Sequence, residues 1–160
     1  MADSQSGCAV RMEGTGGIMA LIIDSLEKAF ASLKKAVALM ESVGPDDTDM
    51  ADALRDSVAQ RFEYTYELAC KFIKRQLMAM SATPREYNEM SFRDIMRRAG
   101  ESGLIPDVQA FFLYRQARNL TSHTYDEDKA EEALGALPGF IADAGFLIQK
   151  LKELNGPGND

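Results

Sequence analysis

Apolar residues recur at steps of three and four along most of this chain, which is the pattern of amphipathic helices. The first such stripe consists of Met19, Ile22, Leu26, Phe30, Leu33, Val37 and Met40. The second consists of Leu54, Val58, Phe62, Tyr66, Ala69, Ile73 and Leu77. Gly44-Pro45-Asp46-Asp47 separates the two stripes, and Thr48 is the predicted N-cap of the second. The pattern therefore predicts two long helices, the second ending between Ser81 and Pro84.

Two shorter helical segments follow. Ser91-Phe92-Arg93-Asp94 has the spacing of a capping box, with a hydroxyl and a carboxylate three residues apart. It predicts a short helix that ends at Gly100. Pro106-Asp107 predicts the start of a further helix that runs to about Leu120.

The last helical region shows the same kind of start signal. Thr124-Tyr125-Asp126-Glu127 has capping-box spacing. Pro138 is expected to kink or split the region, which ends at Asn155-Gly156. No segment shows the alternation of a strand. We predict an all-α, up-and-down bundle of four main helices plus a short extra helix over residues 18–155, preceded by a disordered tail at 1–17.

Composition narrows the function classes. The formal net charge of −7 argues against a broad nucleic-acid-binding surface, so any phosphate site must be local. No apolar run reaches the roughly 20 residues of a membrane span, and the N-terminus lacks a signal-peptide pattern. Cys8 and Cys70 belong to no CxxC motif or Cys/His cluster. The sequence therefore gives no reason to expect a bound metal or cofactor. A buried free thiol at Cys70 fits a cytoplasmic protein.

The candidate chemistry lies in residues 118–127, which contain the chain's one histidine in the pattern R-x4-H-x-Y. Arg118 can bind phosphate, His123 can transfer protons near neutral pH, and Tyr125 offers a hydroxyl that can act as nucleophile or acceptor. Such a polar run is equally typical of a plain turn between helices. In one continuous helix Arg118 and His123 would point about 140° apart, whereas a helix break between them would aim both into one cleft. The next helix would add backbone N–H donors for an anion.

The same ten residues, Arg118-Asn119-Leu120-Thr121-Ser122-His123-Thr124-Tyr125-Asp126-Glu127, resemble the signature of the HEPN superfamily in its nucleotidyltransferase substrate-binding branch. Gln60-Arg61-Phe62-Glu63-Tyr64-Thr65-Tyr66-Glu67-Leu68-Ala69 is similar to the long second helix of that branch. Segments 91–94 and 103–105 also fall where similar segments of the family fall. The likeness covers roughly residues 18–154.

The resemblance implies a homodimeric helical bundle whose partner is a small nucleotidyltransferase, often as a toxin and antitoxin pair. It implies a metal-independent ribonuclease in which Arg118 and His123 carry the reaction. It also implies that the partner can transfer AMP to Tyr125 and silence the nuclease. Asn119 and Arg115 are candidate supporting residues.

Two functions from different classes follow. In the first, the chain is a ribonuclease toxin that binds RNA through a local site, and a symmetric dimer supplies the two histidines that an acid and base pair requires. In the second, the chain is a non-catalytic substrate-binding subunit of a nucleotidyltransferase, and Tyr125 is the acceptor. A plain helical scaffold, in which His123 only caps a turn, remains the alternative to both.

Overall fold

The computed structural model describes residues 10–13 and 18–156, with side chains described from residue 20 onwards. Strands β1 (Val10–Glu13) and β2 (Ile18–Leu21) are followed by six α-helices. These helices are α1 (Asp24–Ser42), α2 (Thr48–Ala79), α3 (Phe92–Glu101), α4 (Val108–Leu120), α5 (Glu127–Gly135) and α6 (Leu137–Asn155). Short 3₁₀ helices occupy Pro84–Asn88 and Thr121–His123. In this part of the chain, no helix is both long and apolar enough to cross a bilayer.

The all-α architecture is confirmed, with α1, α2, α4 and the α5–α6 region as the main helices and α3 as the short extra one. Helix α1 packs along α2, and α6 closes the bundle against both. Pro138 lies in the first turn of α6. The last helical region is therefore split into α5 and α6, as predicted. Ser91 caps α3 by accepting from Asp94 N at 3.1 Å, and Asp107 caps α4 by accepting from Ala110 N at 3.3 Å.

Two helix starts differ from the prediction. Asp47, not Thr48, caps α2 by accepting from Met50 N at 3.2 Å. Helix α1 begins at Asp24 rather than near Met19, because Met19 belongs to β2, where it pairs with Met12. The apolar spacing runs on from strand to helix because both elements bury residues in the same core, so spacing alone does not reveal the boundary.

The antiparallel hairpin of β1 and β2 was not predicted. Each strand has only four residues, too few for alternation to stand out. The side chain of Asn155 ties β2 to the bundle: its Oδ1 accepts from Leu21 N at 3.0 Å, and its Nδ2 donates to Oε1 of the buried Gln76 at 2.8 Å. Residues 10–13 of the predicted disordered tail form β1, whereas the disorder of 1–9 and 14–17 remains a prediction, since those residues lie outside the described part of the chain.

An aromatic cluster at the centre of the bundle sets the relative positions of α2, α4 and α6. The ring of Phe140 meets Phe62 edge-on at 5.0 Å and Tyr114 at 5.4 Å. The Tyr114 hydroxyl donates to Asp143 Oδ2 at 2.6 Å and lies 3.0 Å from where a Cβ on Gly139 would stand. Gly139 therefore permits the close approach of α4 to α6, and α4 carries Arg118 at its far end.

Candidate functional site at the end of helix α4

The predicted break between Arg118 and His123 is confirmed. Helix α4 ends at Leu120, and a single 3₁₀ turn, Thr121–His123, follows it. Asp126 N donates to the His123 carbonyl at 3.0 Å and closes the next turn. The regular α-helix therefore ends within the motif and tightens into a 3₁₀ turn at His123, and the backbone becomes extended only at Asp126.

Arg118 projects toward α2, where two glutamates hold its guanidinium. Its Nε and Nη2 donate to Glu67 Oε2 at 3.0 Å and 2.6 Å, and its Nη1 lies 3.1 Å from Glu63 Oε2. The hydrogen bond with Glu67, followed by the charge of Glu63, raises the pKa of Arg118 further above its already high value. The Arg118 side chain is 29% exposed, so this cation is paired yet still reachable from solvent.

The glutamates were not singled out in the sequence, although both lie in the segment that resembles the family's second helix. Their spacing of four places them on one face of α2, which was the available signal. Thr121 extends the same arrangement, since its Oγ1 lies 3.2 Å from Glu63 Oε2 and 2.6 Å from the Arg118 carbonyl. A single network thus links α2 to the end of α4 and to the first residue of the break.

His123 and Tyr125 form the second pair of the site. The imidazole Nδ1 lies 3.1 Å from the Tyr125 hydroxyl, and the two rings meet edge-on with centroids 5.8 Å apart. Tyr125 is 81% exposed, so a second molecule can reach its hydroxyl. Its ring borders an open groove of about 340 Å³, and the other residues of that groove are Asp52, Arg55, Asp56, Thr124 and Glu127.

The expectation that the next helix offers N–H donors to an anion is wrong. Helix α5 starts at Glu127, and its cap is Asp126 rather than Thr124. The Asp126 carboxylate accepts from Asp128 N at 3.1 Å and from Lys129 N at 3.4 Å. A side chain of the protein already occupies these donors, and Glu127 and Asp128 add negative charge to the first turn. An anion at this site must therefore depend on side chains.

The two supporting candidates lie apart from these contacts. Arg115 stacks over the ring of Phe92 on α3, with its guanidinium carbon 4.5 Å from the ring centroid. Asn119 is exposed, and its carbonyl accepts from Ser122 Oγ at 3.2 Å. No hydrogen bond joins Arg118 to His123 in residues 18–156, so within one chain the motif forms two separate pairs, Arg118 with the glutamates and His123 with Tyr125.

Helix α2 carries two further ionisable groups behind the site, the buried Tyr66 and the partly buried Cys70. Burial raises the pKa of the Cys70 thiol to about 12, which disfavours the thiolate form. Burial, followed by the nearby Cys70, also raises the pKa of Tyr66 well above its ordinary value, against the opposing charges of Arg115 and Arg118. Cys70 is a free thiol, as predicted, but it is only partly buried, packed against the edge of the core. Cys8 lies outside the described residues.

In the described part of the chain, no three His, Cys, Asp or Glu side chains lie close enough together to hold a metal ion. The ionisable and nucleophilic side chains of the R-x4-H-x-Y motif are its arginine, histidine and tyrosine. All three belong to a stretch of eight residues that begins in α4 and ends just before α5.

Comparison with known proteins agrees with this architecture. Residues 21–153 match the family model described as "Nucleotidyltransferase substrate binding protein like". The chain is 34% identical over 138 residues to a Haemophilus influenzae protein named "Probable ribonuclease HepT", covering 84% of this chain and 94% of that protein.

A solved structure from Haemophilus influenzae gives the same result for the fold. Its description states that it reveals the fold of a substrate-binding domain of a nucleotidyltransferase. It superposes on this chain with a TM-score of 0.76 at 33% identity, covering 82% of this chain and 99% of the other. The resemblance stated from the motifs is confirmed: the chain belongs to the nucleotidyltransferase substrate-binding protein-like family, within the HEPN superfamily.

Proposed function

We propose that this protein is a metal-independent ribonuclease, the toxin of a pair whose second member is a small nucleotidyltransferase. The observation that carries the proposal is the helix break at Thr121–His123. It presents the chain's one histidine beside an exposed tyrosine and five residues after an arginine that solvent can reach. The similarity to a protein named as a probable ribonuclease supports the same assignment.

The reaction we assign to the site is attack of the neighbouring 2′-hydroxyl of RNA on its phosphate. It requires a base for that hydroxyl, an acid for the leaving 5′-oxygen and a cation for the charge that develops on the phosphate. His123 fills one proton-transfer role per chain, and Arg118 supplies the cation. A two-fold homodimer that joins two such helix breaks brings together both histidines, one as base and one as acid. Asn119, exposed in the last turn of α4, is proposed to hydrogen-bond the nucleotide, and Arg115 is proposed to add positive charge.

Glu67 sets a condition on phosphate binding. The Nε–Nη2 edge of Arg118, one of the forks that receives a phosphate, is taken by the Glu67 carboxylate. An RNA phosphate must therefore displace Glu67 or bind through the remaining hydrogens of Nη1 and Nη2. This competition, together with the acidity of the whole chain, favours a nuclease that binds RNA weakly until a partner chain or substrate shifts the glutamate.

We expect Glu67→Gln to lower KM for an RNA oligonucleotide by about fivefold, because one partly exposed ion pair of about 1 kcal/mol no longer competes for Arg118. Glu63 is left in place so that the guanidinium keeps its orientation. Steady-state cleavage kinetics are the measurement. Glu132→Gln, an exposed carboxylate on α5, makes the same charge change away from Arg118 and should leave KM unchanged. If both variants give the same KM, Glu67 does not compete with the substrate.

We propose that the nuclease is regulated by modification of Tyr125. The partner nucleotidyltransferase is proposed to transfer AMP from ATP to its hydroxyl. The added phosphodiester would fill the space beside His123 and leave less room for RNA. With the donors of α5 capped by Asp126, this inhibition rests on steric exclusion and on loss of the hydroxyl contact with His123 rather than on binding of the AMP at a helix end.

Tyr125→Phe is expected to stay folded, to bind the partner and to resist adenylylation, because it keeps the ring and removes only the acceptor oxygen. Intact mass after incubation with the partner and ATP measures the modification. Tyr64→Phe is the matched control, since Tyr64 is also exposed, at 58%, and should leave the labelling unchanged. Equal labelling of Tyr125→Phe and the natural chain would place AMP on another residue.

The second candidate is a non-catalytic substrate-binding subunit of the nucleotidyltransferase. The observation that favours it is the pairing of Arg118 with two carboxylates, which neutralises the cation that a nuclease needs. Cleavage of an RNA oligonucleotide by the purified protein in EDTA separates the candidates. The ribonuclease cuts and loses activity after adenylylation, whereas the passive subunit accepts AMP without cutting.

A further inference from the structure

We propose that His123 is also the general base that activates Tyr125 as a nucleophile, so that one imidazole serves both RNA cleavage and the modification that stops it. The assignment rests on the proposed function, in which Tyr125 receives a nucleotidyl group from a nucleoside triphosphate held by the partner. It goes further by naming, on this chain, the group that takes the phenolic proton.

The geometry of the pair supplies the first argument. Nδ1 of His123 lies 3.1 Å from the Tyr125 oxygen, which is within range for direct proton transfer. The neutral imidazole with its proton on Nε2 presents a lone pair at Nδ1 and can accept the phenolic proton. Because Tyr125 is 81% exposed, a phosphorus atom held by a second protein can approach the oxygen while the imidazole stays in contact with it.

The other tyrosines supply the second argument, because none combines exposure with a neighbouring base. Tyr66, Tyr87 and Tyr114 are buried. Tyr114 donates to Asp143, and burial followed by that hydrogen bond raises its pKa. Tyr64 is 58% exposed, but no histidine lies beside it, since the chain has only one. Of the five tyrosines in the sequence, Tyr125 alone is both reachable and paired with a proton acceptor.

The step balances without any further reactant. The Tyr125 oxygen forms a bond to the α-phosphorus of the triphosphate while the bond from that phosphorus to the bridging oxygen of the β-phosphate breaks. Pyrophosphate leaves with the electron pair of that bond. The phenolic proton moves to Nδ1 of His123 and from the imidazolium to solvent. The product oxygen carries no proton, so the modified tyrosine can no longer donate to His123.

A sulfonyl fluoride reagent tests the activation of Tyr125 on the full chain without a partner. The phenolic oxygen bonds to sulfur, fluoride leaves, and the proton passes to the base. Phenylmethanesulfonyl fluoride is the probe, and peptide mass mapping follows sulfonylation of Tyr125 and of Tyr64 in the same sample. General-base assistance is worth about 10²-fold or more in favourable cases, so we expect Tyr125 to react at least about tenfold faster than Tyr64.

His123→Gln keeps a polar side chain but removes the base, and it should bring the rate at Tyr125 down to that at Tyr64. The rate at Tyr64 controls for the reactivity of the reagent, and the helical circular-dichroism signal shows whether the variant is folded. Ser122→Ala, the exposed neighbour in the same turn, should retain the fast reaction. The assignment is overturned if Tyr125 reacts no faster than Tyr64 in the natural chain, if His123→Gln reacts at the natural rate, or if Ser122→Ala loses as much as His123→Gln.

Adenylylation by the co-purified partner and ATP separates this inference from the proposed function. Transfer of AMP to the natural chain and to His123→Gln at equal rates would end the role of His123 as base and leave the proposed function standing. Fast sulfonylation of Tyr125 in a chain that accepts no AMP would end the proposed modification and leave the activation of Tyr125 by His123 in place.

Discussion

His123→Ala and Arg118→Ala are each expected to reduce metal-independent RNA cleavage by about 10²–10⁴-fold, the usual effect of losing a proton-transfer group or a charge-stabilising donor. The chain has no second histidine to replace the first. Arg118 is the cation that α2 holds at the site, and Arg115 is engaged with Phe92 instead. Cleavage of a labelled RNA oligonucleotide in EDTA, followed over time, measures both losses.

Both variants should keep the helical circular-dichroism signal. Neither side chain is in the core, and the ion pairs lost with Arg118 are partly exposed, so their removal costs about 1 kcal/mol or less. Ser122→Ala, an exposed change in the same turn, is the control and should cleave at the natural rate. Undiminished cleavage by His123→Ala would end the nuclease assignment and favour the non-catalytic subunit.

Phe140→Ala is expected to lower the free energy of unfolding by about 3–5 kcal/mol, the range for truncation of a buried aromatic ring. Phe140 is fully buried, and its ring makes edge-on contacts with Phe62 on α2 and Tyr114 on α4. The variant leaves a cavity where three helices meet, so the lost contacts add to the lost burial. The midpoint of urea unfolding, followed by circular dichroism, is the measurement.

The control for this prediction lies on the same helix. Phe146 is 38% exposed, and Phe146→Ala should cost less than about 1 kcal/mol because it opens no internal cavity. A similar loss in both variants would mean that the aromatic cluster adds no more to stability than a surface ring. Since the cluster holds α4 against α2, Phe140→Ala should also weaken the contact between Arg118 and its glutamates.

Local patterns were sufficient for most of the helices. The steps of three and four marked the faces that α1 and α2 bury, because a helix with one apolar face must turn that face to a core. Capping residues marked the starts of α3 and α4. At the N-terminus of a helix, the side-chain oxygen of the N-cap lies close to the backbone N–H three residues later, so a short sequence pattern is enough to reveal it. The start of α5 was misassigned because Thr124 and Asp126 both offer capping oxygens, and the structure uses Asp126.

For the site, the sequence by itself determined the chemistry available: one histidine, an arginine five residues before it, a tyrosine two residues after it, and a helix break between them. It also identified the family through two separated motifs. These are properties of residue type and short spacing, which do not depend on distant parts of the chain.

Only the tertiary structure decided which side chains those residues meet. Arg118 reaches Glu67, 51 positions away, because the aromatic core brings α4 alongside α2, and no local pattern encodes that approach. Asp126 occupies the helix end that was expected to receive an anion. The pairing of His123 with Tyr125 depends on the 3₁₀ turn. Residues two apart do not face each other in a regular α-helix, so the backbone must leave that geometry to bring the two side chains together.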